Sequence, residues 1–185
     1  MNFPRILKKR KGYIDRIKPF MQKSVVKVLT GQRRVGKSFL LYQLIEEILA
    51  EEPNANIIYV NLEDFTFSSL QTAEDLHSYI ISHSKEKVKN YIFIDEIQDI
   101  PGFEKVIRSL LLNEDNDIYI TGSNAKMLSG ELATYLSGRY IEFKIYSLSY
   151  SEFLEFHGLT ESETSYELYS RYGGLPYLLN LPLED

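Results

Sequence analysis

Between Val25 and Leu49 the chain reads VVKVLTGQRRVGKSFLLYQLIEEIL. A β-branched run enters a glycine loop, and an amphipathic pattern leaves it. Leu40, Leu41, Leu44, Ile45, Ile48 and Leu49 share one broad face at helical spacing, with Glu46, Glu47 and Glu51 pointing elsewhere. The loop itself has the order G-x-x-x-x-G-K-S, residues 31–38. Glycines there let backbone N–H groups turn inward around phosphate oxygens, where a Cβ would obstruct. A helix that starts at the loop adds unpaired N–H groups and the positive end of its dipole. Lys37 would reach the β- and γ-phosphates, and Ser38 would offer its hydroxyl to Mg²⁺. The predicted binding segment is Gly31, Gln32, Arg33, Arg34, Val35, Gly36, Lys37, Ser38 and Phe39. Arg33 and Arg34 are open to three readings: packing, pairing with acids, or facing nucleic acid.

The rest of the chain repeats the strand–helix alternation. NIIYVNL (56–62), YIFID (91–95), DIYIT (117–121) and YIEFKIY (140–146) read as strands. Helices are predicted over 13–23, from Lys37 to Pro53, over 73–83, around Phe103–Leu111 and from about Ala125 to Leu136. Alternation of this kind implies βαβ units and a parallel sheet covered on both faces. Strands three and four are continuously apolar for that reason. The last 35 residues change character, with short helices expected around a Gly-Gly-Leu-Pro break. We expect an α/β core over 1–150, the beginning of a helical segment over 151–185, and a longer native protein.

A second chemical element closes the third strand. Asp95 stands where a buried strand emerges beside the loop strand, placed to hold a metal's water shell. Glu96 follows and points differently, as a general base toward an attacking water. A third lies in ITGSN at the end of strand four, where Ser123, and after it Asn124, would sit between the two phosphate-handling loops. No N-K-x-D guanine-reading tetrad occurs, which favours ATP over GTP.

Charge is unevenly spread. Residues 1–38 carry twelve Lys/Arg and one acidic residue, Asp15; the remainder carries nine basic and twenty-five acidic residues. The basic front end fits either phosphates (of nucleotide, nucleic acid or a membrane surface) or a solvated arm that balances the acidic remainder. Cysteine is absent, so disulfides and thiolate metal sites are excluded. The first residues lack the apolar centre of a signal peptide, and no apolar run approaches the roughly 18 residues of a membrane span. We expect a cytoplasmic protein with no membrane partner. His77, His83 and His157 have no metal spacing and read as surface or cap residues, and the fourteen Tyr read as packing.

Taken together, LTGQRRVGKSFLL, VNLED, YIFIDEIQDIPGFEKVIRSLL, ITGSNAKML, LSGRYIEFKIYSLSYSEFLEF and RYGGLPYLL resemble the AAA+ P-loop ATPases. More narrowly, they resemble the bacterial and archaeal AAA ATPases often joined to a nuclease-like or uncharacterised C-terminal domain. The resemblance spans roughly residues 5–180. It implies a three-layer α/β/α P-loop fold with a parallel five-stranded sheet in the order 5-1-4-3-2, followed by the start of a helical lid. It implies ATP and Mg²⁺ as ligands, with Gly31, Gly36, Lys37 and Ser38 in the P-loop, Asp95 on the metal and Glu96 as the base. Asn61 matches the polar position that can restrain that glutamate, Ser123 the polar sensor, and Arg139 the arginine finger that acts on a neighbouring subunit. Homo-oligomers and a DNA or protein partner engaged through a C-terminal region are further implications. Two other readings compete with ATP hydrolysis: a nucleotide-gated binding switch with negligible turnover, and a small-molecule kinase.

Overall fold

The structure, a computed structural model, describes residues 8–123, 136 and 138–180. Five parallel strands form one sheet: β1 (Val26–Gly31), β2 (Asn56–Asn61), β3 (Asn90–Asp95), β4 (Asn116–Ser123) and β5 (Tyr140–Lys144). Their order is β2-β3-β4-β1-β5, the order that the AAA+ resemblance implies. All pairings are parallel, so the carboxyl ends of the strands share one edge.

Period-two alternation divides the strand side chains between two cores. Val26, Val28, Ile92, Ile94, Ile118 and Ile120 face one way and pack with α3 (Ala73–His83) and α4 (Phe103–Leu110). Leu29, Tyr91, Phe93, Tyr119 and Phe143 face the other way and pack with α1 (Lys11–Ile17) and α2 (Lys37–Glu51). The result is three layers. Both interior strands with continuous apolar runs are buried on both faces, whereas edge strand β2 buries mainly Ile58 and Val60. Helix α2 buries Leu40, Leu41, Leu44, Ile45 and Ile48, each contributing about 1.5–3 kcal/mol.

One predicted helix is shorter than its pattern. Residues 13–23 were expected to be helical, but α1 ends at Ile17 and a 3-10 turn, Lys18–Phe20, follows. Pro19 lies in that turn; it has no N–H for the helical ladder, and its ring would clash with the carbonyl four residues back. The helix predicted over 125–136 lies outside the described residues, Leu136 excepted. Beyond β5, a third small core of Leu148, Phe153 and Phe156 joins α5 (Tyr150–His157) to α6 (Glu163–Tyr172). Ser149 and Ser162 start these helices with side-chain caps on residues three further on.

The amino-terminal segment is fastened at both ends of the sheet. Arg10, buried, donates to the carbonyls of Val35 (3.2 Å) and Tyr146 (2.8 Å) and grips both carboxylate oxygens of Glu152. At the opposite edge Lys27 and Asp117, neither with any exposed side-chain surface, form an ion pair. Asp117 also accepts from Tyr119 Oη and from the Gln22 amide, each at 2.8 Å. The basic front end is therefore largely engaged within the fold: Lys9 and Lys18 pair with Glu47, Arg10 pairs with Glu152, and Lys8 donates to the Phe156 carbonyl.

Candidate nucleotide site

The carboxyl ends of β1, β3 and β4 meet where β1 turns into α2. Gly36 caps the helix with φ +95°, a backbone that L side chains rarely adopt, and its carbonyl accepts the first helical hydrogen bond from Leu40. The first turn of α2 therefore opens directly onto the loop. Lys37 follows at once, buried, with Nζ 3.3 Å from the Gly31 carbonyl and 3.2 Å from that of Gln32. Its ammonium also stands 3.2 Å from Glu96 Oε1. Ser38, next in the helix, hydrogen-bonds the Asp95 carboxylate. Four side chains from two segments some sixty residues apart thus come together: Lys37, Ser38, Asp95 and Glu96.

Asp95 is almost wholly buried at 1% exposure. Burial pushes its carboxyl above the ordinary range, and hydrogen bonds from Ser38 and Thr121 pull it back. Thr121, fully buried in β4, donates its hydroxyl to Asp95 Oδ1 and accepts from the Glu96 amide at 3.0 Å. Tyr59 adds a longer contact to Asp95 Oδ2, 3.4 Å, and donates to Tyr42 Oη at 3.1 Å. Glu96 has φ +54°, unusual for a residue with a Cβ, and begins a 3-10 turn over Ile97–Asp99. That turn brings its carboxylate back to the loop lysine. Gln98 donates Nε2 to Glu96 Oε2 at 2.6 Å.

The other predicted positions are placed as follows. Ser123 ends β4 in register with Gly31, and Asn124 lies outside the described residues. Asn61 ends β2 in register with Asp95, and its side-chain oxygen accepts from the Glu63 amide at 3.0 Å; among the described residues Lys37 and Gln98 touch the Glu96 carboxylate. Gln32 and Phe39 are exposed, and Val35 is buried. Arg33 pairs with Glu63 at 2.6 Å on the surface, and Arg34 lies 5.9 Å over the Tyr177 ring. Arg139 is exposed immediately before β5, and its carbonyl accepts from the Val26 amide at the amino end of β1. It stands a strand's length from Gly31, about 16 Å at the usual rise. Sequence reasoning missed Thr121, Gln98, Tyr59 and Arg10.

A family model described as an AAA domain matches residues 23–154. The chain belongs to that family. Its sheet order and its neighbours among solved structures are those of AAA+ P-loop ATPases, which have a nucleotide-binding fold. Two curated relatives of this AAA domain are themselves uncharacterised. One, from Haemophilus influenzae, is 41% identical over 178 residues, 90% of this chain and 43% of that protein. The other, from Methanocaldococcus jannaschii, is 37% identical over 132 residues, 71% of this chain and 28% of that protein. The chain thus spans less than half the length of the curated relatives it matches. Similar solved structures include yeast Hsp104 in its ADP complex (TM-score 0.67, 13% identity, 96% of this chain, 30% of that one). The Aeropyrum pernix ORC1 protein in complex with DNA is another (0.62, 14%, 96% and 59%). AMPPCP-bound DnaA from Aquifex aeolicus is a third (0.55, 13%, 97% and 61%). At such identities the likeness establishes the AAA+ fold. Among the described residues no helix is long and apolar enough to cross a membrane.

Proposed function

We propose that this AAA domain binds ATP with Mg²⁺ and hydrolyses it. The observation that carries the reading is the convergence of Lys37, Ser38, Asp95 and Glu96 at the mouth of a loop that opens a helix. The donor set fits the metal. A hydroxyl that donates to a carboxylate gives a pair of hard oxygen ligands, and Mg²⁺ commonly takes one or two carboxylates with the remainder from water and substrate phosphates. Ser38 and Asp95 would hold the ion, which when bound supplies positive charge beside the phosphate oxygens.

The protein's own groups account for the remaining steps. Loop amides and the Lys37 ammonium bind the β- and γ-phosphates. Glu96 accepts a proton from water as the water oxygen bonds to the γ-phosphorus, and the bond from that phosphorus to the β–γ bridging oxygen breaks, leaving ADP and phosphate. Thr121 keeps Asp95 and the Glu96 backbone at a common level. Ser123 would serve as the polar sensor at the β1–β4 edge. Arg139, at the far edge of the sheet, would serve only the site of a neighbouring copy, which makes a homo-oligomer part of the proposal. Residues 151–185 would begin the helical lid, and nucleotide occupancy would be coupled to an effector region beyond it. Supporting that coupling, the Pro176 ring packs against Gly36, 3.7 Å from where a Cβ would sit, and Arg34 lies over Tyr177.

The test is direct. Lys37→Ala abolishes ATP binding measured by calorimetry, whereas Glu96→Gln keeps binding and stops phosphate release. Normal turnover in the Gln variant would remove Glu96 from its role. Binding unaffected by loss of Lys37 would remove the site. Transfer of phosphate to a metabolite instead of water would make the protein a kinase.

A further inference from the structure

Gln98 has an environment that packing alone does not explain. Its amide nitrogen donates to Glu96 Oε2 at 2.6 Å and lies 3.4 Å from Asp99 Oδ1. Its amide oxygen is buried and has no hydrogen-bond partner among the described residues. The amide orientation is settled by chemistry. Ionised carboxylates only accept, so an oxygen turned toward Glu96 and Asp99 would be repelled by both. The nitrogen is satisfied at the cost of an unmet buried acceptor, a penalty comparable to a lost hydrogen bond. A residue serving stability would be better replaced by an apolar side chain of the same length.

Glu96 explains the arrangement. Among the described residues its two oxygens have one partner each: Lys37 on Oε1 and Gln98 on Oε2. Lys37 is the group that phosphates would draw toward themselves. The bond from Gln98 makes no use of the loop, so it does not require the lysine to stay beside Glu96. A carboxylate that must take a proton from water in a fixed direction needs such an anchor, because small misplacements of a reacting group cost large factors in rate.

We propose that Gln98 is the positioning residue for Glu96, fixing the carboxylate that deprotonates the attacking water. This rests on the hydrolytic reading above and assigns a role within it. The experiment uses the complete protein, with phosphate release, nucleotide affinity and thermal unfolding measured for Gln98→Met, Gln98→Ala, Glu96→Gln and the double variant Glu96→Gln/Gln98→Met. In Gln98→Met, kcat falls about tenfold or more, while KM and the Kd for ATP stay within about twofold. Its melting temperature is not lowered, because methionine removes the partnerless oxygen and keeps the volume. Gln98→Ala shows the same split between kcat and KM. The double variant is no slower than Glu96→Gln alone, since the anchor has nothing left to orient. Turnover in Gln98→Met within about twofold of the unaltered protein overturns the assignment. So does a loss of affinity that matches the loss of rate, or a lower melting temperature with rate lost in proportion. If the unaltered protein releases no phosphate at all, the hydrolytic reading fails and the Gln98 role with it. If Glu96→Gln is inactive and Gln98→Met is normal, only the Gln98 role fails.

Discussion

Replacing Thr121 by Val tests whether one hydroxyl joins the two acidic residues at the end of β3. Threonine and valine have nearly the same shape, so the change removes the hydroxyl and leaves the packing. Two interactions go with it: the bond donated to Asp95 and the bond accepted from the Glu96 amide at 3.0 Å. Thr121 is fully buried and Asp95 nearly so, at 1% exposure, so water does not replace either partner. A hydrogen bond to a charged group contributes about 1.5–3 kcal/mol, and a buried amide left without an acceptor costs about 1–3 kcal/mol. The expected loss is about 3–5 kcal/mol. For a chain of this size that lowers the melting temperature by about 6–20 °C. Thr121→Ser keeps both bonds and gives up one methyl, about 1 kcal/mol. Urea and thermal unfolding followed by circular dichroism should therefore rank the proteins Thr, Ser, Val, with the large gap before Val. The Val variant should also lose more of its ATP affinity in magnesium than without it. A Val variant within 1 kcal/mol of the unaltered chain, by the scale of a single net hydrogen bond, refutes the reasoning. A Ser variant as unstable as Val would show that the methyl, not the hydroxyl, carries the effect.

Two further substitutions probe the frame. Asp117→Ala leaves the Lys27 ammonium buried without its carboxylate, and should cost about 3–5 kcal/mol at pH 7. Burial pushes Lys27 below its ordinary value of 10.5 and Asp117 pulls it up; without that pull the folded-state value drops further while the unfolded one does not. Between those two values the unfolded chain binds more protons, so the variant regains stability as pH rises, and its deficit narrows over the alkaline range until the pH passes the unaltered chain's own lowered Lys27 value. A deficit constant over that range in urea titrations would mean that Lys27 is not the group left stranded. Gly174→Ala places a Cβ onto the Leu148 carbonyl oxygen, beside the 2.6 Å bond from Leu148 N–H to the Gly174 carbonyl. It should cost about 1–3 kcal/mol, and hydrogen exchange should show the loss first in α5 and α6.

The architecture was readable because its signals are periodic or punctuated. Continuous apolar runs marked β3 and β4 as interior strands, and the leucine face of α2 stated its orientation. The loop was legible because its glycines, lysine and serine have fixed spacing, and Asp95 and Glu96 because a charged pair closes an apolar strand. Thr121 gave no such signal. Threonine is an ordinary strand former, and the more conspicuous polar residue is Ser123 at the strand's end, which register places opposite Gly31. The clue was parity: Ile94 aligns with Ile120, so the next residues, Asp95 and Thr121, share a level and a face. Gln98 was hidden because its meeting with Glu96 depends on a left-handed backbone at residue 96. Arg10 was lost in the run KKRK, where composition does not tell a buried guanidinium from its solvated neighbours. Ile14, Ile17 and Phe20 keep helical spacing across Pro19, so apolar periodicity alone does not register the break there.

Arg10 also bears on where this unit can be cut. The family match begins at residue 23 and stops at 154, yet one guanidinium at position 10 holds a carbonyl of the β1–α2 loop, a carbonyl after β5 and the carboxylate of Glu152. A fragment trimmed to the matched span would keep every motif and discard the fastener behind them. It would also split α5 after Leu154 and strand Leu148 without Gly174. Expression boundaries for this domain are better drawn ahead of residue 8 and beyond residue 180 than at the limits of sequence similarity.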